Sequence, residues 1–291
     1  MRLLLKINIV LIVVTVSGMA LSYQIAYRLL QANARSEIQG NARLLIESAL
    51  AVRMYTNRQI SPLLKTQSRY EFLPQRVAAY SAKEYFANLR QKFPDYSYRE
   101  ATLNPTNPVD RADDWEADVV RYFRINSGAQ ELIGERDTAV GRTLWLARPL
   151  RVGEESCLEC HSVPGAAEQS MIEKYGTANG FGWVFKDVVG AQIVSVPSAV
   201  PVQRANAALN GFALVLVGLF CFLFVVGNAL MTVLVVRPVL RLSSIADKVS
   251  LGEEAPEFQV KGRDEIAALG TSFNRLRTSL KLAMSALSAP G

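Results

Sequence analysis

Cys157-Leu158-Glu159-Cys160-His161 is the stretch of this sequence where reactive side chains stand at a diagnostic spacing. Two thiols three residues apart can add to the two vinyl groups of a haem. The imidazole that follows at once can then reach the iron from one side. On this reading the chain carries one covalently attached haem c. Cys157 and Cys160 are the attachment residues and His161 is the proximal iron ligand. Three rival readings fare less well. A structural zinc site wants four Cys or His ligands, and the chain has three cysteines and one histidine. Of these, Cys221 sits in a long apolar run, where it reads as a small hydrophobe. A thioredoxin-like Cys-x-x-Cys belongs to a helix after a strand in a βαβ fold, and no such pattern surrounds Cys157. Chance occurrence is the third.

Because His161 is the only histidine, a second imidazole cannot complete the iron's coordination within one chain, and no phosphoacceptor histidine is present. Of the six methionines, only Met54 and Met171 fall between the two long apolar runs. Met54 is the candidate distal ligand, lying on a helical segment beside Tyr55. The alternative stays open that Met54 packs on an apolar helix face and that water, Lys or Tyr holds the position. The glycines from Gly176 to Gly182 lack a following Gly-Lys-Ser/Thr, so they predict a turn packed near the haem rather than a phosphate loop. Beyond the haem motif there is no acid–base or nucleophile constellation, and the chain is not expected to be an enzyme.

The elements that must position this motif begin with the membrane. Half of the residues are hydrophobic, and mean hydropathy is slightly positive at +0.14. Ile7 to Tyr27 and Gly211 to Val236 carry no charged residue, and about 20 helical residues cross a bilayer core. Two transmembrane helices are predicted, 7–27 and 211–236. Arg2 and Lys6 ahead of the first run also suit a signal peptide, with Ala20-Leu21-Ser22 as a weak cleavage site. The run is long for that and helical sequence continues past it, so a retained anchor is the better reading. The net charge of +6 comes without a Lys/Arg stripe interleaved with aromatics, so no nucleic-acid partner is expected. Basic residues do not orient the chain: Arg2, Lys6, Arg237, Arg241 and Lys248 face Arg28, Arg35, Arg43 and Arg204 across the two membrane runs. The haem motif does. Covalent attachment is made on the extracytoplasmic side, which places residues 28–204 outside and residues 1–6 and 237–287 in the cytoplasm of a bacterial inner membrane.

Within 28–204, Leu29 to Leu64 predicts a helix running on from the membrane, with Leu44, Leu45, Ile46, Leu50 and Val52 as its apolar face. Ala78 to Lys92 and Trp115 to Phe123 are further helices, and Asn104 to Pro108 is a turn cluster. Thr143 to Val152, Gly182 to Phe185 and Ala191 to Val196 predict strands. A long helix followed by a short sheet makes an α+β domain of PAS-like character.

After the second apolar run, Pro238, Leu242, Ile245 and Val249 form one helical stripe. A connector from Gly252 to Gly262 follows, with Phe258 and Val260 as its apolar residues. Ile266, Leu269, Phe273, Leu276, Leu280, Ala283 and Leu287 then alternate spacings of three and four, which is a heptad seam. Arg277 lies off the seam and is expected to face outward. Two such helices cannot bury their seams alone, and two copies can, as a parallel four-helix bundle. With Pro238 after the membrane helix, Gly252 at the exit of the first helix, Asp264-Glu265-Ile266 opening the second and Phe273-Asn274 two turns on, residues 237–287 resemble a HAMP domain.

The loop resembles the PAS-like c-type-haem sensory domains found ahead of HAMP modules in bacterial sensors. The resemblance rests on Tyr55-Thr56-Asn57 with Ile60 and Pro62 to Leu64, on Asn104-Pro105 and on Trp115-Glu116. It continues through Cys157 to His161, Tyr175-Gly176, Gly182-Trp183 and Gly190 to Pro197. It implies a membrane sensor in which haem redox state or a small gaseous ligand is relayed through a HAMP homodimer to a separate cytoplasmic partner. No kinase or cyclase motif follows the seam before Gly291. The alternative is a membrane-anchored c-type cytochrome that exchanges electrons with a donor. The heptad seam discriminates between them, since an electron carrier needs no coiled-coil relay.

Overall fold

The computed structural model describes residues 2–139, 141–259 and 262–287. It divides into two compact units, residues 27–208 and residues 1–26 with 209–291.

In the first unit, helix α1 (Arg2–Tyr55) passes into a π-helical turn, Thr56–Ile60, and then α2 (Ser61–Leu64). Next come α3 (Ala78–Arg90), β1 (Ser97–Thr102), α4 (Asp114–Ile125), β2 (Leu132–Thr138), β3 (Gly141–Arg151), α5 (Leu158–His161), α6 (Gln169–Tyr175) and β4 (Val188–Pro197). The four strands form one antiparallel sheet in the order β1-β4-β3-β2. Fold class is therefore α+β, as the sequence predicts.

One sheet face carries Tyr98, Leu144, Leu146, Val194 and Val196 against Ile38, Ala42, Ile46 and Ala49 of α1 and Phe86 of α3. The other carries Ala101, Ala147, Ala191 and Ile193 against Val119, Val120 and Phe123 of α4. The buried stripe of α1 differs from the expected one. Leu44 is exposed, and the face on the sheet is made of Ile38, Ala42, Ile46 and Ala49. Two alanines let the helix backbone approach the strands closely, which a row of leucines would prevent. Asp113 ahead of α4 donates its backbone N–H to Glu116 Oε2 at 2.9 Å, which closes that helix's first turn.

Two strands, β1 and β2, arise where the sequence predicts none. The strand predicted at Gly182 to Phe185 is instead irregular backbone, with Gly182 at φ +80°. That left-handed conformation breaks a ladder and suits glycine.

In the second unit, α1 and α7 (Ala199–Met231) supply two helices long and apolar enough to cross a membrane. Their most apolar windows have mean hydropathy 2.0 and 2.6. Another π-helical turn, Thr232–Val236, leads into α8 (Arg237–Ser250), and α9 (Glu265–Leu287) follows the connector. Gly252 at φ +76° ends α8, and the Glu253 N–H returns to the Lys248 carbonyl at 3.0 Å. Asp264 Oδ1 caps α9 by accepting from the Ala267 N–H at 2.9 Å. Asn274 clamps the connector with both ends of its amide: Oδ1 accepts from the Phe258 N–H at 3.1 Å, and Nδ2 donates to the Phe258 carbonyl at 2.9 Å. Phe258 is buried; Val260 and the side chain of Leu287 lie outside the described residues. Arg277 does not face outward as expected. It is half-buried and its guanidinium donates to the Ala255 carbonyl of the connector. Leu269, Leu276 and Leu280 of the seam are exposed on the single chain.

Candidate functional site

Cys157 closes a 3₁₀ turn, Glu155–Cys157, and α5 is a single helical turn ending on His161. Residues three apart on such a turn lie on one face, so the local fold presents Cys157 and Cys160 to the same side. Both are free thiols and half-buried. Burial pushes the Cys160 thiol pKa up, with the Glu168 carboxylate adding to the effect and Arg76 opposing it.

His161 is held by segments distant in the chain. Its Nδ1 donates to the Gly180 carbonyl at 2.8 Å, with Thr106 Oγ1 at 3.4 Å from the same nitrogen. The imidazole stacks on Trp183, ring centroids 4.0 Å apart and planes 14° from parallel. Two backbone bonds tie the segments together, Trp183 N–H to the His161 carbonyl at 3.1 Å and Gly182 N–H to the Ser162 carbonyl at 2.8 Å. Burial lowers the His161 pKa, with the bond to Gly180 pulling the other way. The ring is thus neutral near pH 7, with its proton on Nδ1. Nε2 then keeps its lone pair and has no protein hydrogen bond among the described residues. A histidine that ligates a metal has this arrangement: one nitrogen donates to a carbonyl and fixes the tautomer that leaves the other free.

Gly180 makes the arrangement possible. It sits at φ +84°, and a Cβ there would lie 1.9 Å from Thr106 Oγ1 and 2.8 Å from Thr106 Cα. The predicted turn at Gly176 to Gly182 is therefore a cradle for the imidazole, and Thr106 is its floor.

A second cluster braces α5 and α6. Arg76 donates to Ser68 Oγ, to Ser61 Oγ at 3.2 Å and to Glu168 Oε1, and Ser170 Oγ donates to the Ser68 carbonyl. Lys65 Nζ meets Glu159 Oε2 at 3.2 Å, inside the Cys-x-x-Cys. These bonds pin the segment after α1 against the cysteine turn.

Met54, on the last turn of α1, is 47% exposed, and Met171 of α6 is buried at 6%. The described residues gather no group of three or more His, Cys, Asp or Glu side chains around one point. Two cavities of about 430 and 280 Å³ lie elsewhere, sharing Trp115 and Arg136 in their walls. Neither groove is lined by the thiols or the imidazole of the cysteine turn. Two unpaired thiols on one face and a neutral, oriented imidazole fit the donor set of a c-type haem.

Sequence reading missed Thr106, Gly180 and Trp183 as partners of His161. The glycine run signals a turn, but nothing in the linear sequence says which side chain it cradles.

Comparison with known proteins gives matches in two families. Residues 31–197 match the Tll0287-like family, and residues 230–282 match the HAMP domain. Among solved structures, that of the cyanobacterial heme-protein Tll0287 matches at 18% identity with a TM-score of 0.44. The match covers 55% of this chain and 95% of that one. No curated protein matches.

Proposed function

The chain belongs to the Tll0287-like family and carries a HAMP domain, and from that premise we propose that it is a membrane-bound haem-based sensor and signal transducer. Cys157 and Cys160 hold one haem c through thioether bonds, and His161 Nε2 is the proximal iron ligand. The bound group would supply a one-electron couple and a coordination position for a small gaseous ligand. The observation that carries this reading is the His161 Nδ1–Gly180 bond beside two free thiols. It leaves one nitrogen unprotonated and aimed by the fold rather than by a ligand.

Each neighbouring residue has a task. Gly180 fixes the tautomer, Trp183 stops the ring from rotating, and Lys65 with Arg76 holds the cysteine turn in place. Residues 7–27 and 211–236 span the bacterial inner membrane, with 28–204 extracytoplasmic and both ends cytoplasmic. A parallel homodimer through 237–287 hands the signal to a separate cytoplasmic partner. The exposed Leu276 and Leu280 support this pairing, since each leaves an apolar side chain that a second copy would bury. Met54 is proposed as the distal ligand. A membrane-anchored electron-carrying cytochrome is the second reading, and the HAMP match disfavours it.

The test is extraction of the purified protein with acidified organic solvent. Haem should stay with the polypeptide and be lost after Cys157→Ala with Cys160→Ala. Free extraction from the wild type ends the reading. For the distal position, the oxidised protein should show the sulfur-to-iron band at the near-infrared edge, and Met54→Ala should lack it. A band that persists in the variant rules out Met54.

A further inference from the structure

The groove of about 430 Å³ takes Trp115 and Tyr122 from α4, Leu132 and Arg136 from the edge strand β2 and Trp145 from β3 into its walls. Side chains alternate along a strand, so Leu132, Gly134 and Arg136 share the face of β2 that α4 covers. Gly134 stands opposite Trp145 in the ladder. A Cβ at Gly134 would come within 2.3 Å of Trp145 Cζ2. Glycine there leaves room for the indole, and any other residue would displace it. Trp115 and Trp145 meet with ring centroids 5.7 Å apart and planes at 54°. The Arg136 guanidinium lies over the Trp115 ring, 4.2 Å from its centroid.

Charge in this wall is not balanced. Two carboxylates line the groove, and arginines outside it match both. Asp118 pairs with Arg121, and Glu135 pairs with Arg142 at 2.8 Å and with Arg35 of α1 at 3.7 Å. The Arg136 guanidinium has neither an ion pair nor a hydrogen bond among the described residues. Stacking on an indole engages the flat face of a guanidinium and leaves its N–H edge free to donate. The wall therefore offers one unmatched cation with donors in a plane, beside three aromatic rings. A groove of this volume is within the range of small-molecule sites.

We propose that this groove binds a small aromatic monocarboxylate. Its carboxylate accepts from the free edge of Arg136, and its ring packs on Trp115, Trp145 and Tyr122 by offset stacking or edge-to-face contact. Charge selects the class: one unmatched guanidinium balances one carboxylate, and Asp118 with Glu135 repels a second. Ring contacts favour an aromatic body over an aliphatic one of similar size. Binding is non-covalent, and no bond forms or breaks. The inference is independent of the haem reading, since no residue of the cysteine turn lines the groove.

The test is isothermal titration calorimetry of the full-length protein in detergent, with benzoate and indoleacetate as probes. Both should bind saturably. Benzamide, the neutral counterpart of benzoate, should bind at least roughly tenfold more weakly, because hydrogen bonds to a charged acceptor are the stronger ones. Cyclohexanecarboxylate, which keeps the charge and loses the aromatic ring, should bind at least roughly threefold more weakly. Succinate, with a second carboxylate, should bind more weakly than benzoate. Arg136 is exposed, so Arg136→Gln leaves the core untouched. That variant should lose at least roughly tenfold in benzoate affinity and keep its benzamide affinity within about twofold. The wild-type probe series decides the ligand class without any substitution. The proposal is overturned if neither benzoate nor indoleacetate binds saturably. It is equally overturned if benzamide, cyclohexanecarboxylate or succinate binds as tightly as benzoate, or if Arg136→Gln binds benzoate as the wild type does.

Discussion

Replacing Gly180 by alanine tests the geometry on which the site depends. The new Cβ would start 1.9 Å from Thr106 Oγ1, whereas ordinary contact begins near 3.4 Å. The flexible hydroxyl can turn away, but Thr106 Cα at 2.8 Å cannot, so the two segments must separate by roughly 0.6 Å. That stretches the His161 Nδ1 bond to the Gly180 carbonyl, now 2.8 Å, beyond the range of a good hydrogen bond. Its loss costs about 0.5–1.5 kcal/mol. Holding a non-glycine residue at φ +84° adds about 1–2 kcal/mol. Gly180→Ala should thus destabilise the protein by about 1.5–3.5 kcal/mol. Gly182→Ala is the control, since Gly182 sits at φ +80° with nothing within 4 Å of its would-be Cβ. It should cost only the backbone strain, about 1–2 kcal/mol. The assay is chemical denaturation of both variants in detergent, with the fraction of covalently attached haem measured in parallel. Thr106→Ala should rescue Gly180→Ala only in part, because the Thr106 backbone still obstructs. Equal costs for the two glycines, within about 0.5 kcal/mol, would show that the approach of Gly180 to Thr106 does not matter and would refute the argument.

Three further outcomes follow from the same structure. Cysteines at Leu276 or Leu280 should cross-link between copies more efficiently than one at exposed Arg275; equal yields would count against the parallel dimer. Asn274→Ala removes both bonds to the Phe258 backbone, worth about 1–3 kcal/mol together, and should speed exchange of the Phe258 amide at least roughly fivefold; unchanged exchange would mean the clamp is idle. Burial raises the pKa of Asp110 above its usual 3.8, with Lys83 pulling it back in part. The folded state therefore holds that proton more tightly than the unfolded one. This contribution is fully present below pH 3.8 and is lost as pH rises through the folded value. Asp110→Asn should gain stability relative to wild type across that window, read from denaturation midpoints at a series of pH values; a constant difference would contradict the sign.

The sequence alone determined what is local. Helical periodicity carried the long first helix and the spacing from Ile266 to Leu280, because each is written in residues three and four apart, and the two apolar runs were legible as unbroken uncharged stretches. The Cys157–His161 motif was legible because its two thiols and its imidazole lie within five consecutive residues. Strand β1 was not. Ser97-Tyr98-Arg99-Glu100-Ala101-Thr102 puts a carboxylate on a buried face, and the guanidinium of Arg53, 47 residues earlier, together with the Tyr98 hydroxyl, makes that burial tolerable. Tertiary structure likewise decided what holds His161. Gly180 lies 19 residues away and Thr106 lies 55 away, and Trp183 reaches the ring by way of the turn that Gly180 and Gly182 allow. A glycine's left-handed backbone is visible in sequence only as permission. Which side chain uses the space is settled when segments distant in the chain pack together, and that packing depends on the whole core rather than on any short pattern.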